Sequence, residues 1–184
     1  MKLRGWLWLL GCFLLAGCKP GINSADTQDL AANLNAPFDY YINGMQTQRF
    51  SADGKPVFTL RAGRATHFPA DDHIELTSPV LHWFRDNAEP WIISADAGNL
   101  HHNASTEELT LTGSVKANTS LPQTGNILLE TGRLNLWPKD KIALTDAEVK
   151  FTTQATRWQS KGMRLNIARN TLSLQNDVRG IYAP

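Results

Sequence analysis

Phe58-Thr59-Leu60-Arg61-Ala62-Gly63 alternates apolar and polar side chains, and after a polar turn Ile74-Glu75-Leu76-Thr77 alternates again, followed by Val80. Successive side chains of a strand point to opposite faces, so both segments read as strands with one greasy and one wet face. The same pairing returns three more times. Trp91-Ile92-Ile93-Ser94-Ala95-Asp96 is followed by Leu109-Thr110-Leu111-Thr112 and Val115. Ile127-Leu128-Leu129-Glu130-Thr131-Gly132 is followed by Ile142-Ala143-Leu144-Thr145 and Val149. Trp158-Gln159-Ser160-Lys161-Gly162-Met163 is followed by Leu172-Ser173-Leu174-Gln175 and Val178. The starts lie 31 to 36 residues apart, a spacing typical of stacked supersecondary units rather than a single-centred enzyme core. The closing valine comes one residue late in the third copy, which predicts a bulge there.

Turn chemistry punctuates the alternation at Asp53-Gly54, Pro69 to Asp72, Asp86-Asn87, Asn103 to Ser105, Pro138 to Lys141 and Arg169-Asn170. No segment after residue 36 carries a helical stripe, so the chain from 37 to 184 reads as an all-β domain of about a dozen or more strands. The inward register runs through Phe58, Leu60, Ala62, Ile74, Leu76, Val80, Trp91, Ile93, Ala95, Leu109, Leu111 and Val115. It continues through Ile127, Leu129, Leu134, Leu136, Ile142, Leu144, Trp158, Leu165, Ile167, Leu172, Leu174, Val178 and Tyr182. One face is greasy and the other wet, as two facing sheets require. Small or polar residues interrupt the greasy face at Ala62, Ser78, Ala95, Gly113, Thr131, Gly162 and Asn176. They either let the sheet bend or keep the interior from filling.

The chain of 184 residues carries 18 basic and 17 acidic residues, a net charge of +1, with a mean hydropathy of −0.30. No dense Lys/Arg stripe is present, which argues against a nucleic-acid partner. His67, Asp71, Asp72, His73 and His82 lie close together but match no strong metal-ligand spacing, and the default reading is solvated turn residues. His101-His102 reads the same way. No Gly-x-Ser-x-Gly elbow, Walker A loop or Cys-x-x-Cys pair occurs, so neither enzyme chemistry nor a cofactor is expected.

At the N-terminus, Lys2 and Arg4 precede an apolar run from Trp6 to Ala16, which is short for a membrane-crossing helix and right for a signal-peptide core. It ends in Leu15-Ala16-Gly17-Cys18, a lipobox-like sequence in which Cys18 is the lipid-anchor candidate. The alternative is an uncleaved short anchor over residues 1–18. Both place the rest of the chain outside the cytoplasm, tethered by residues 19–36, a stretch rich in Asn, Asp, Gln, Ser, Ala and Gly. Cys12 would leave with the leader, so no disulfide is expected in the domain.

Phe50 to Ala62, Leu76-Thr-Ser-Pro-Val-Leu81, Pro90 to Asp96, Leu111 to Lys116, Ser160 to Met163 and Asp177-Val-Arg-Gly-Ile-Tyr182, in that order and spacing, resemble the LptC family of lipopolysaccharide export. The resemblance spans about Tyr41 to Tyr182. It implies a twisted antiparallel β-jellyroll, shaped like a boat or open V, on the periplasmic face of the inner membrane of a Gram-negative bacterium. Family members commonly keep an N-terminal helix in the inner membrane. Here the run is short and ends at Cys18, with Lys19 in place of the aspartate that retains lipoproteins there.

The resemblance also implies a cargo and two partners. Lipopolysaccharide would come from the inner-membrane Lpt ABC transporter at the N-terminal edge, Tyr41 to Phe50. It would leave to the soluble bridge protein LptA at the C-terminal edge, Leu172 to Tyr182. By alternation and by the resemblance together, the expected lipid lining is Leu60, Leu76, Trp91, Ile93, Leu111, Leu129, Leu136, Leu172, Leu174 and Tyr182. The competing readings are a scaffold or outer-membrane lipoprotein whose interior is filled, with tryptophans 83, 91, 137 and 158 as the fillers and no lipid cargo.

Overall fold

The computed structural model describes residues 37–182 apart from 103–106, 123–124 and 170. The leader, Cys18 and the tether therefore lie outside the described residues. Among those described there is no helix, and the strands are β1 (Tyr40–Phe50), β2 (Pro56–Phe68), β3 (His73–Thr77), β4 (Val80–Arg85), β5 (Ala88–Ser94), β6 (Ala97–His102), β7 (Glu107–Leu121), β8 (Gly125–Trp137), β9 (Ile142–Thr152), β10 (Thr156–Asn166) and β11 (Thr171–Tyr182). The described residues thus form eleven strands, against an expectation of about a dozen or more.

Every pairing is antiparallel, and the path is simpler than the strand count suggests. β2 pairs with β4 through Phe58 to Arg61 and with β3 through Arg64 to Phe68, on one and the same side. β7 likewise pairs with β5 through its residues 116–118 and with β6 through 107–112. Strands β3 and β4 are thus one chain pass cut at Ser78-Pro79, and β5 and β6 are one pass cut at Ala95-Asp96. Proline cannot donate to the ladder, which explains the first cut. With those two joins restored, the domain is an antiparallel meander in which each pass lies beside the next in sequence.

A single line of interruptions crosses this meander and folds it in two. The register shifts between Thr112 and Val115 in β7, Thr131 and Asn135 in β8, Lys161 and Met163 in β10 against β9, and Gln159 and Lys161 in β10 against β11. Positive backbone φ falls on the same line at Gly44, Ser78, Gly113, Gly162 and Asp177. Gly113, at φ +94°, is the tightest point: a Cβ there would run into the Asp96 side chain. Asp96 is in turn fastened by the Ser114 backbone N–H (2.8 Å) and hydroxyl (3.0 Å), which donate to its carboxylate and hold its pKa below the usual range. The small residues on the greasy face therefore mark a crease, and bending is the role the structure gives them.

The two half-sheets close on one apolar cluster that runs from Phe58, Leu60 and Ala62 through Leu81, Trp83, Ile93, Leu111, Leu129 and Leu136 to Met163 and Leu165. Burying each such large side chain contributes roughly 1.5–3 kcal/mol. In the middle passes two parts of the inward register are corrected. In the first copy the inward residues after the crease are Leu81 and Trp83, and Val80 is only half-buried. The turn at Ser78 (φ +48°) uses up one step of alternation, so counting onward from Leu76 lands on the wrong face. In β9 the buried residues are Ala143, Thr145 and Val149, with Ile142 and Leu144 half-buried on the other face. Leu136 lies directly opposite Ala143, and cross-strand partners share a face, so the register of β8 decides the matter. The extra residue that β9 carries against β8 and β10 lies at the crease, between Thr145 and Glu148.

Candidate functional site

Of the nominated lining, Leu60, Leu76, Trp91, Ile93, Leu111, Leu129 and Leu136 are all buried in the common cluster, brought together from both half-sheets. Leu172 and Leu174, on the last strand, are partly buried and pack against that cluster. Tyr182 is not in the interior; it is 69% exposed at the end of β11. Val178 and Trp158, also expected inward, are likewise exposed. The reason is positional. Among the described residues β11 has a neighbour on one side only, and Trp158 lies opposite Gly180, where a Cβ would run into its indole.

The interior between the half-sheets is occupied by side chains. Trp83 at 0% exposure, Trp91 and Phe58 are the bulkiest contributions, with Met163 alongside the leucines. Trp83 and Met163 were absent from the expected inward register. Val80-Leu81-His82-Trp83 does carry an alternating signal for Trp83, in the opposite parity to the one assumed. Among the described residues nothing accepts a hydrogen bond from Trp83 Nε1, a donor placed in apolar surroundings.

The apolar surface does not stop where the core ends. The large hydrophobic side chains left exposed among the described residues are Tyr40, Tyr41, Ile42 and Phe50 on β1, Val178, Ile181 and Tyr182 on β11, and Trp158 beneath β11. Pairing carries the inner face outward at each side. Ile42 stands opposite buried Ala65 and Met45 opposite buried Ala62, while Leu172 and Leu174 stand opposite buried Leu165 and Met163. Both β1 and β11 are also terminal strands of the sheet, and each has one row of backbone N–H and C=O groups without a strand partner among the described residues.

The start of β1 is held by a clasp. His67 at the end of β2 is within 2.7 Å of Asp39 through Nδ1 and within 3.1 Å of Asp72 through Nε2, and Tyr40 stacks on its ring at 4.8 Å. Two carboxylate acceptors on one ring favour the imidazolium, so the His67 pKa is raised, chiefly by Asp72 and then Asp39. Asp39 is lowered in return by its bond to His67. His73 is bound to Asp71 at 2.6 Å and stacked on Phe68 at 4.9 Å. These histidines are largely covered and paired, which corrects their reading as solvated turn residues. Among the described residues no group of three His, Cys, Asp or Glu could hold a metal ion.

No helix among the described residues is long and apolar enough to cross a membrane. The crystal structure of LptH, described as the LptA-homologous periplasmic component of the lipopolysaccharide transport device of Pseudomonas aeruginosa, superposes with a TM-score of 0.54 at 8% identity, covering 69% of this chain and 95% of that one. That likeness shows the fold, the LptA-like β-jellyroll. No curated protein sequence matches. The family profile for "Lipopolysaccharide-assembly, LptC-related" proteins matches residues 7–183, nearly the whole chain. The creased meander, its apolar interior and its two open edges are therefore those of a protein that belongs to the LptC family, a component of the lipopolysaccharide transport bridge rather than an enzyme.

Proposed function

We infer that the domain carries the acyl chains of lipopolysaccharide along the inner faces of its half-sheets, taking the lipid at the β1 edge from the inner-membrane transporter and passing it at the β11 edge to the soluble bridge protein LptA. The observation that carries this reading is the continuation of the apolar inner face from the core onto both terminal strands, at Ile42 and Met45 on one side and Leu172, Leu174, Val178 and Tyr182 on the other. Acyl chains cost roughly 0.8 kcal/mol per CH₂ left in water, so a multi-chain lipid needs an unbroken apolar path. Aliphatic contact is non-directional, which suits a cargo that must slide. Terminal strands with unpaired backbone accept a neighbouring protein's strand by β-augmentation, which would extend the same inner face from one protein to the next.

In the state described here, Leu60, Trp83, Leu111 and Leu129 fill the space between the half-sheets. Loading therefore requires the half-sheets to part, with the crease as the natural axis. Anchoring belongs to the same reading: Cys18 carries lipid, or the run from Trp6 to Ala16 stays in the inner membrane, and the mass of the mature N-terminus distinguishes them.

The packed interior also favours a second reading, a scaffold that joins its partners without carrying lipid. A photoreactive residue at Leu76 or Leu174 separates the two, because capture of lipopolysaccharide at these positions belongs only to the carrier. In the same assay Leu174→Asp should leave the fold largely formed, since Leu174 is only partly buried on a terminal strand, while blocking lipid passage. Normal capture and transport in that variant would remove Leu174 from the lining.

A further inference from the structure

Opposite the crease, turns from both half-sheets meet around a cleft of about 770 Å³. The β1–β2 turn contributes Lys55, the β4–β5 turn Asp86, and the β8–β9 turn Lys139 and Lys141. Arg49 and Arg85 complete the basic set, so five cations face two carboxylates, Asp53 and Asp86, in a chain whose net charge is only +1. Phe50, 56% exposed, and half-buried Phe84 give the same cleft an apolar wall.

The cations are not equivalent. Arg49 is ion-paired to Glu107 at the start of β7. Arg85 donates to the carbonyl of Glu89 and to the Thr119 hydroxyl. Lys55 lies 3.5 Å from Asp53, whose carboxylate also accepts from the Ser51 hydroxyl. Among the described residues no ion pair engages the side chain of Lys139 or Lys141. Lys141 is also held in the left-handed region at φ +57°, and its carbonyl accepts from Ile167 at 2.8 Å, so its backbone is fixed while its ammonium is unclaimed.

We propose that this cleft binds the phosphate-bearing headgroup of an acylated lipid, with Lys139 and Lys141 as its principal contacts and Phe50 at the boundary between headgroup and chains. The proposal rests on the lipid-carrier reading above and names the part of the cargo that reading leaves unplaced. The arrangement is short and compact, unlike the extended stripe that tracks a nucleic acid, and it pairs cationic groups with exposed aromatic surface, as an anionic amphiphile requires. Charge-assisted bonds from an ammonium to a phosphate are among the stronger polar contacts available at a surface.

The test compares binding of lipopolysaccharide with that of its enzymatically dephosphorylated form to the full chain in nonionic detergent. The variant is the double substitution Lys139→Gln and Lys141→Asn, asparagine being chosen because it tolerates the left-handed backbone. Lys116→Ala, an exposed lysine on β7 outside the cleft, controls for loss of charge. The expected result is a preference of about tenfold for the phosphorylated lipid, abolished in the double variant and kept in the control. Equal affinity of the unmodified chain for the two lipids would overturn the headgroup site and leave the carrier reading standing. Binding of neither lipid would overturn the carrier reading and this proposal with it. Displacement by a modest excess of inorganic phosphate would show a free-anion site, and loss of partner co-purification with an unchanged lipid preference would assign the lysines to an acidic protein segment; either also overturns the proposal.

Discussion

The middle passes of the meander and its two terminal strands are built from the same alternating sequence and behave differently. From β2 to β10 each pass has neighbours on both sides, and its inward residues meet the opposite half-sheet; Leu81, Trp83, Leu111 and Leu136 are buried as a result. Among the described residues β1 and β11 have one neighbour each, and their inward residues, Ile42, Val178 and Tyr182 among them, stay exposed. Alternation makes a face apolar, but only a second layer makes it a core. Stability therefore lives in the middle, and the exposed apolar surface and unpaired backbone lie at the ends.

The largest expected break of this contrast is Leu136→Ala in the middle, which should cost about 2–5 kcal/mol in urea unfolding, whereas Ile181→Ala on β11 should change stability by less than about 0.5 kcal/mol. Similar losses at both sites would end the distinction. Next comes the crease. Gly113→Ala places a Cβ against Asp96 at a φ that alanine adopts poorly, and should cost roughly 1–3 kcal/mol while loosening the Ser114 bonds to Asp96. Thermal melts together with the amide signal of Ser114 check both effects.

The β1 clasp adds a pH test. The His67 pKa is raised in the folded state, so its contribution is complete below the unfolded value and is lost as pH rises through the folded one. Hydrogen-exchange protection factors of Tyr40 to Ile42 should fall as pH rises through the His67 titration while those of β7 do not move. An equal fall in both, or none, would remove the clasp. In the acid direction Asp39 and Asp96, both lowered, contribute stability that is lost as pH drops through their folded values. The smallest effect on stability is expected at the C-terminal edge. Val178→Asp with Tyr182→Asp should leave the melting temperature nearly unchanged and abolish co-purification of the soluble bridge protein; retained co-purification would move that interface elsewhere.

Much of the fold was legible because alternation is a property of consecutive residues. Phe58 to Ala62, Leu109 to Val115 and Ile127 to Leu136 show their faces without reference to anything distant, and the repeat spacing shows that the strands form similar pairs. Seven of the nominated lining residues, Leu60 through Leu136, are buried together for that reason. Where the chain turns a corner the reading failed. Ser78 uses a residue in the left-handed region, so parity resets and Trp83 becomes the centre of the interior in place of Val80. In β9 small Ala143 is buried and larger Ile142 is not, because its partner Leu136 had already chosen the face.

By itself the sequence determined the alternating segments that become strands and the small residues that interrupt them, since both follow from local backbone chemistry; that those interruptions form one crease was decided by the structure. Tertiary structure alone decided which parity faces inward beyond the crease and that Tyr182 lies outside the core. It also decided that Lys55, Lys139 and Lys141 share one cleft. Those outcomes depend on cross-strand register and on closure of two half-sheets, which join residues far apart in the chain and leave no periodic mark in either segment.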